Sequence, residues 1–180
     1  MNKTLYSTKF LELKETSSKD GSPWFYAHRP NARDVVVILP ATEDEVLFII
    51  EERPPMQAED KGKFTIGLAA GLVGDERVGE TIEDAIKSEL LEETGLVAKS
   101  IAIKTRNTAS SAGCVSETFS VAIAKIEDKT EVQKPLSDGG IIIDRVWIKK
   151  TDIRKWLAIK EQEGYVLTSQ MLAALYYLFE

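Results

Sequence analysis

The apolar positions of this chain follow two periods. Val35-Val36-Val37-Ile38-Leu39 and Val46-Leu47-Phe48-Ile49-Ile50 are unbroken apolar runs, the pattern of strands covered on both faces. They predict layers on either side of a sheet. Segments 5–14, 24–29, 34–39 and 45–52 are rich in β-branched and aromatic residues, and turn signals such as Lys19-Asp20-Gly21-Ser22-Pro23 and Arg29-Pro30-Asn31 separate them. Further strands are expected at about 98–106, 117–126 and 140–148. Helices are expected at 81–94, about 152–162 and about 169–179, the last with Met171, Leu172, Leu175, Leu178 and Phe179 on its apolar side. Strands and helices mixed in this order imply an α+β chain folded as an α/β/α sandwich around a mixed β-sheet. With no repeat, low-complexity tract or long Gly, Ser or Pro linker, residues 1–180 are expected to form one domain.

Composition narrows the chemistry. The 180 residues hold 29 acidic and 23 basic side chains, a net charge of -6, with one Cys and one His. Cys114 has no partner for an internal disulfide, and with His28 alone it builds no zinc cluster. Any metal the protein holds is therefore bound through oxygen, as magnesium, manganese or calcium are. The acidic balance argues against nucleic acid as a partner, since that needs a basic footprint. No apolar run approaches the roughly 18 residues of a membrane span, and no leader pattern opens the chain. The expectation is a cytoplasmic protein without membrane contact.

The most informative stretch is the helix Thr81-Ile82-Glu83-Asp84-Ala85-Ile86-Lys87-Ser88-Glu89-Leu90-Leu91-Glu92-Glu93-Thr94. Thr81 with Asp84 three residues on reads as a capping box, and Gly95 as the left-handed residue that ends the helix. Taking Ile82 as zero, Glu89 falls at about 340°, Glu93 at about 20° and Glu92 at about 280°. Two carboxylates thus lie within the apolar stripe and a third borders it. Taken alone, a Glu-rich helix is as readily a solvated face. Three carboxylates on one face repel one another, however, and a hard divalent cation relieves that repulsion.

Read outward, the spacing is Gly74, five residues, Glu80, seven residues, then Ser88-Glu89-Leu90-Leu91-Glu92-Glu93-Thr94-Gly95-Leu96. This resembles the box of the Nudix hydrolases, Gly-x5-Glu-x7-Arg-Glu-U-x-Glu-Glu-x-Gly-U with U apolar, and departs from it only at Ser88, where the family has Arg. The resemblance implies a Nudix fold and hydrolysis of a nucleoside diphosphate linked to another group. It implies that Glu89, Glu92 and Glu93 hold Mg2+ (or Mn2+), that Glu80 supports the loop, and that Gly74 and Gly95 shape turns. The Ser88 hydroxyl is too short and uncharged to repeat the anchoring role of the family's Arg.

Outside the box the likeness is to the ADP-ribose and nucleoside diphosphate sugar pyrophosphatases. Leu68-Ala69-Ala70-Gly71-Leu72-Val73-Gly74 is similar to their Glu-U-Pro-Ala-Gly-Leu-U segment, with Gly67 and Ala69 in place of the Glu and Pro. Ala70 would lend its backbone carbonyl to the metal. Arg53-Pro54-Pro55 resembles their Arg-Pro-Pro element and makes Arg53 a substrate-binding candidate. Ser111-Ala112-Gly113-Cys114-Val115-Ser116-Glu117 is similar to the Ser-Pro-Gly-x-x-x-Glu segment, with Ala112 for Pro. The general base stays open, because Gly140 stands where these relatives carry a Glu; Asp138, Glu117 and Glu92 are the candidates. Trp24, in Trp24-Phe25-Tyr26, is a candidate to stack on a nucleobase, and strands within residues 1–35 are expected to contribute to a homodimer.

The resulting expectation is Mg2+-dependent hydrolysis of ADP-ribose or a related nucleoside diphosphate sugar to nucleoside monophosphate and sugar phosphate. A nucleotide-binding module of weak activity and a house-cleaning pyrophosphatase for nucleoside triphosphates are the alternatives.

Overall fold

The computed structural model describes residues 2–74, 79–135 and 141–179. Its amino-terminal part is a three-stranded antiparallel sheet of β1 (Lys3–Ser7), β2 (Glu12–Ser17) and β3 (Pro23–His28). The run expected as one strand over 5–14 is two. Thr8 Oγ1 accepts from the N–H groups of Phe10 and Leu11 at 3.1 and 2.9 Å, a local bond that gives the backbone an alternative to extension and reverses the chain.

The second sheet holds the core. Its centre is β4 (Asp34–Ala41) and β5 (Glu45–Glu52), the two runs expected to be covered on both faces. Alternate residues divide between two clusters. Val36, Ile38, Leu47 and Ile49 pack with Ala85, Ile86 and Leu90 of α2 (Ile82–Thr94). Val37, Leu39, Phe48 and Ile50 pack with Ile153 and Leu157 of α3 (Ile153–Gln162) and Met171, Ala174 and Leu175 of α4 (Ser169–Tyr176). The period of two along each strand sends successive side chains to opposite helical layers.

β4 and β5 pair with each other only at Ala41 and Val46. Beyond that point they diverge, and one continuous segment lies between them. Its first part, β6 (Thr65–Gly67), pairs antiparallel with β5, and its second, β7 (Ala69–Val73), pairs antiparallel with β4. On the outer edge of β4 runs β9 (Thr118–Lys125), parallel, followed by antiparallel β8 (Ser100–Ala109). On the outer edge of β5 runs β10 (Ile141–Lys149), antiparallel, while β11 (Val166–Leu167) adds parallel to β6. The α/β/α sandwich with a mixed sheet is the expected architecture.

The differences have local causes. β6 and β7 are short and carry Gly67, Ala69, Ala70 and Gly71, residues that weakly favour strands, so pairing with β4 and β5 decides them. A short helix, α1 (Pro54–Ala58), starts on two prolines at its first positions, where the missing N–H is harmless. The carboxy-terminal helix ends at Tyr176, and Leu172 and Phe179, expected on its apolar side, stay exposed; Met171, Ala174 and Leu175 form the narrower buried stripe.

Phe48 is fully buried against Trp156, with ring centroids 5.0 Å apart. Replacing it with Ala is expected to lower unfolding free energy by about 3–5 kcal/mol, read from the urea midpoint at unchanged denaturant dependence.

Candidate active site

The site grows from the turn that leads into α2. Thr81 Oγ1 accepts from Asp84 N–H at 3.1 Å and the Asp84 carboxylate accepts from Thr81 N–H, completing the capping box. At the other end Gly95 adopts φ 71°, and its N–H donates to the Leu91 carbonyl. Both ends are fixed as the sequence predicts. Before the helix, Glu80 is buried and accepts from Gly74 N–H at 2.9 Å. Arg33 Nη2 donates to the Glu80 carbonyl. Gly74 has φ 88°, a left-handed conformation that favours glycine, and the Arg33 side chain packs over it, 3.0 Å from where a β-carbon would stand.

The carboxylates of α2 meet β7. A β-carbon on Gly71 would lie 1.7 Å from Glu89 Oε1; the bare backbone at 71 is what lets that side chain lie against the strand. One residue earlier, Ala70 N–H donates to Glu93 Oε2 at 3.0 Å. A strand residue directs its N–H and C=O to the same edge, so the Ala70 carbonyl also leaves β7 on the side away from β4. Two carboxylates one helical turn apart and one carbonyl therefore gather along β7. Glu92, part-buried like its neighbours, borders them on the same helix. Among the described residues no three acidic, His or Cys side chains already converge as a metal cage. The donor set is nonetheless all oxygen, the kind a hard divalent cation takes, and the space at Gly71 is shaped around a carboxylate.

Other predicted residues fall at different places. On β5, Glu51 alternates with Leu47 and Ile49 and so projects to the α2 side of the sheet. Arg53 Nε pairs with Glu51 Oε1 at 2.8 Å, and Thr65 Oγ1 donates to the same oxygen at 3.3 Å. Arg53 is thereby held by one edge of its guanidinium while its side chain stays about half exposed. Glu117 is engaged by Arg29 Nε at 2.7 Å and Ser110 Oγ at 2.9 Å. It precedes β9 by one residue, whereas the strand row through Gly71 passes Val36 to Ser120. That puts Glu117 about 10 Å along the strands and about 10 Å across them from the Glu89 contact. Trp24 Nε1 donates to the Gly113 carbonyl at 2.8 Å, and β3 bridges the same loop through Ala27 and Val115. Trp24 and Glu117 thus belong to one seam between the two sheets. Asp138 and Gly140 lie outside the described residues.

Three side chains of this region were not legible as site residues. Arg145 Nε, from β10, donates to the Glu93 carbonyl; Arg33 and Glu51 act as described above. A pair of charged residues inside an otherwise apolar strand, Ile143-Asp144-Arg145-Val146-Trp147, was the available signal for Arg145. A cavity of about 600 Å³ lies between α2 and β8, lined by Leu90, Leu91, Leu96 and Ile101. The Arg106 guanidinium at its rim bonds Glu83 at 2.9 Å and lowers that carboxyl's pKa. None of Glu89, Glu92 and Glu93 lines it, so it is separate from the carboxylates along β7.

The fold and site define an α/β/α sandwich with a capped, carboxylate-rich helix packed on a glycine-bearing strand, and the family comparison specifies the class. Residues 29–168 match the model of the NUDIX domain, and the chain belongs to the Nudix hydrolase family. Among solved structures it is similar to one described as an ADP compounds hydrolase, with a TM-score of 0.71 and 16% identity over 99% of this chain and 89% of that one. No curated protein matches significantly.

Replacing Glu80 with Ala leaves the Gly74 N–H without its acceptor. Stability is expected to fall by roughly 1–3 kcal/mol, measurable by thermal or urea unfolding.

Proposed function

We propose that the protein hydrolyses the pyrophosphate link of ADP-ribose or a related nucleoside diphosphate sugar, using Mg2+ or Mn2+, and releases nucleoside monophosphate and sugar phosphate. The observation that carries this reading is the convergence of Glu89 and Glu93 on Gly71 and Ala70 of β7. Family membership supports hydrolysis, and the similar fold described as an ADP compounds hydrolase supports an ADP-containing substrate.

Glu89, Glu92, Glu93 and the Ala70 carbonyl would hold the ion. When bound, such an ion withdraws charge from phosphate oxygens and makes water a stronger nucleophile at neutral pH. The chain's own residues do the rest. Arg53, fixed through Nε by Glu51, keeps its outer N–H groups for phosphate or ribose oxygens. Trp24, half exposed with its indole N–H held by Gly113, offers a ring face to a nucleobase. Glu92 is favoured over Glu117 as general base, because Glu117 stands about 10 Å along and about 10 Å across the strands from the Glu89 contact; Asp138 is the competing candidate.

The amino-terminal strands suit a second copy of this chain. Leu5, Tyr6, Phe10, Leu11, Leu13, Trp24 and Phe25 are all exposed there, more apolar surface than isolated exposed residues account for. A homodimer is expected, with a solution mass near twice the 20.0 kDa chain; light scattering that returns one chain mass would refute it.

The activity is tested by incubating the protein with Mg2+ and a panel of nucleoside diphosphate sugars, dinucleoside polyphosphates and nucleoside triphosphates. Monophosphate release from ADP-ribose or its analogues, abolished by chelator, is the expected result. Nucleotide binding without turnover of any of them would leave a binding module instead. Glu93→Gln and Gly71→Ala are each expected to lower kcat at least about 100-fold. Gly71→Ala should do so while keeping a cooperative thermal transition, since the nearest atoms the new β-carbon meets are all of the Glu89 side chain, from Cγ outward, and none is backbone.

A further inference from the structure

The acids of α2 crowd its electrically unfavourable end. The last carbonyls of a helix carry partial negative charge, and Glu89, Glu92 and Glu93 occupy the last two turns of α2 with no basic residue in the final turn. Lys87, the one basic residue of α2, precedes all three acids, and at position 88 the helix carries only a serine. Part of the answer comes from elsewhere. Arg145 Nε donates to the Glu93 carbonyl from a position 52 residues away in the chain. Glu93 is therefore held at both ends, its backbone oxygen by Arg145 and its carboxylate by Ala70 N–H.

The sheet is built to deliver this arginine. β10 pairs with β5 through an irregularity between Ile142 and Asp144. Ile142 lies opposite Glu51 and Arg145 opposite Ile49, so both project to the α2 side although they are three residues apart. A strand without an extra residue places only positions of equal parity on one face. A bulge is the device that lets an apolar contact and a charged one share it. Asp144 Oδ1 accepts from Arg145 N–H at 2.7 Å and steadies the bulged backbone.

We infer that Arg145 is a positioning residue for the metal-binding carboxylates, supplying from β10 the cation that α2 lacks at Ser88. The inference rests on the metal-dependent reading proposed above. Its reach is to Glu93 and the carboxyl end of α2, where it fixes the carboxylate relative to Ala70 and offsets the negative charge of the helix terminus. A basic side chain placed at position 88 would lie one turn before Glu92 and could share that task.

The test compares wild type, Arg145→Gln, Arg145→Lys, the double variant Ser88→Arg with Arg145→Gln, and Thr81→Ala. The last loosens α2 at its far end without touching Glu93. Mn2+ affinity is read by electron paramagnetic resonance, with no substrate present, alongside thermal unfolding and the Mg2+ dependence of hydrolysis. Arg145→Gln is expected to weaken Mn2+ binding about 10- to 100-fold and to raise the Mg2+ needed for half-maximal rate. Arg145→Lys should recover part of the loss, Ser88→Arg should restore affinity in the Gln background, and Thr81→Ala should leave affinity unchanged. Unchanged Mn2+ affinity in Arg145→Gln overturns the inference. So does an equal loss in Thr81→Ala, which would make the effect one of helix stability. No Mn2+ binding by wild type overturns the metal-dependent reading itself, and this inference with it.

Discussion

The missing side chain at position 71 is the constraint on which the site depends. α2 packs through Ala85, Ile86 and Leu90 onto the sheet face formed by Val36, Ile38, Leu47 and Ile49, and that packing brings its carboxylates down on β7. Any β-carbon at 71 would occupy the volume of the Glu89 carboxylate. The close approach in turn requires β7 to lie between β4 and β5, which is possible because those strands separate after Ala41 and Val46. The core and the site are one construction: the divergence that admits the segment from Thr65 to Val73 also sets the strand against which the acids gather.

Charge is the second organising term. Residues 74–96 contain eight acids and two bases, a balance of 2 - 8 = -6 that equals the net charge of the chain. The rest of the molecule is neutral in sum, with 21 of each. Acidity is thus a local property of the helix and its approach, and the fold meets it with groups from distant parts of the chain. Arg33 contacts the Glu80 backbone, Arg145 contacts the Glu93 backbone, and the Ala70 N–H meets the Glu93 carboxylate. Directed hydrogen bonds to charged or backbone oxygens hold geometry better than a diffuse counter-charge does.

The seam between the two sheets gives the amino-terminal strands a further part. Trp24, Ala27, His28 and Arg29 each contact the segment from Gly113 to Glu117. Glu117 is therefore a tie between the sheets as it stands, whatever else it does. A residue marked by a motif and a residue placed by packing need not be the same thing, and here the packing supplies Glu117 with two partners.

Much was determined by sequence alone. The capping box at Thr81, the glycine stop at Gly95, the carboxylate stripe of α2 and the double coverage of β4 and β5 are all encoded by residues within a few turns of one another, where helix and strand periods operate directly. Box spacing carried the family for the same reason. The tertiary structure decided the rest: that β6 and β7 are strands, that Glu89 lies on Gly71, that Arg145 faces α2, and that Glu117 is tied to Arg29. Each depends on pairing between segments far apart, 52 residues for Arg145 and Glu93 and 88 for Arg29 and Glu117. Local periodicity reports which face a side chain takes relative to its own strand, but only register and bulges determine what that face meets.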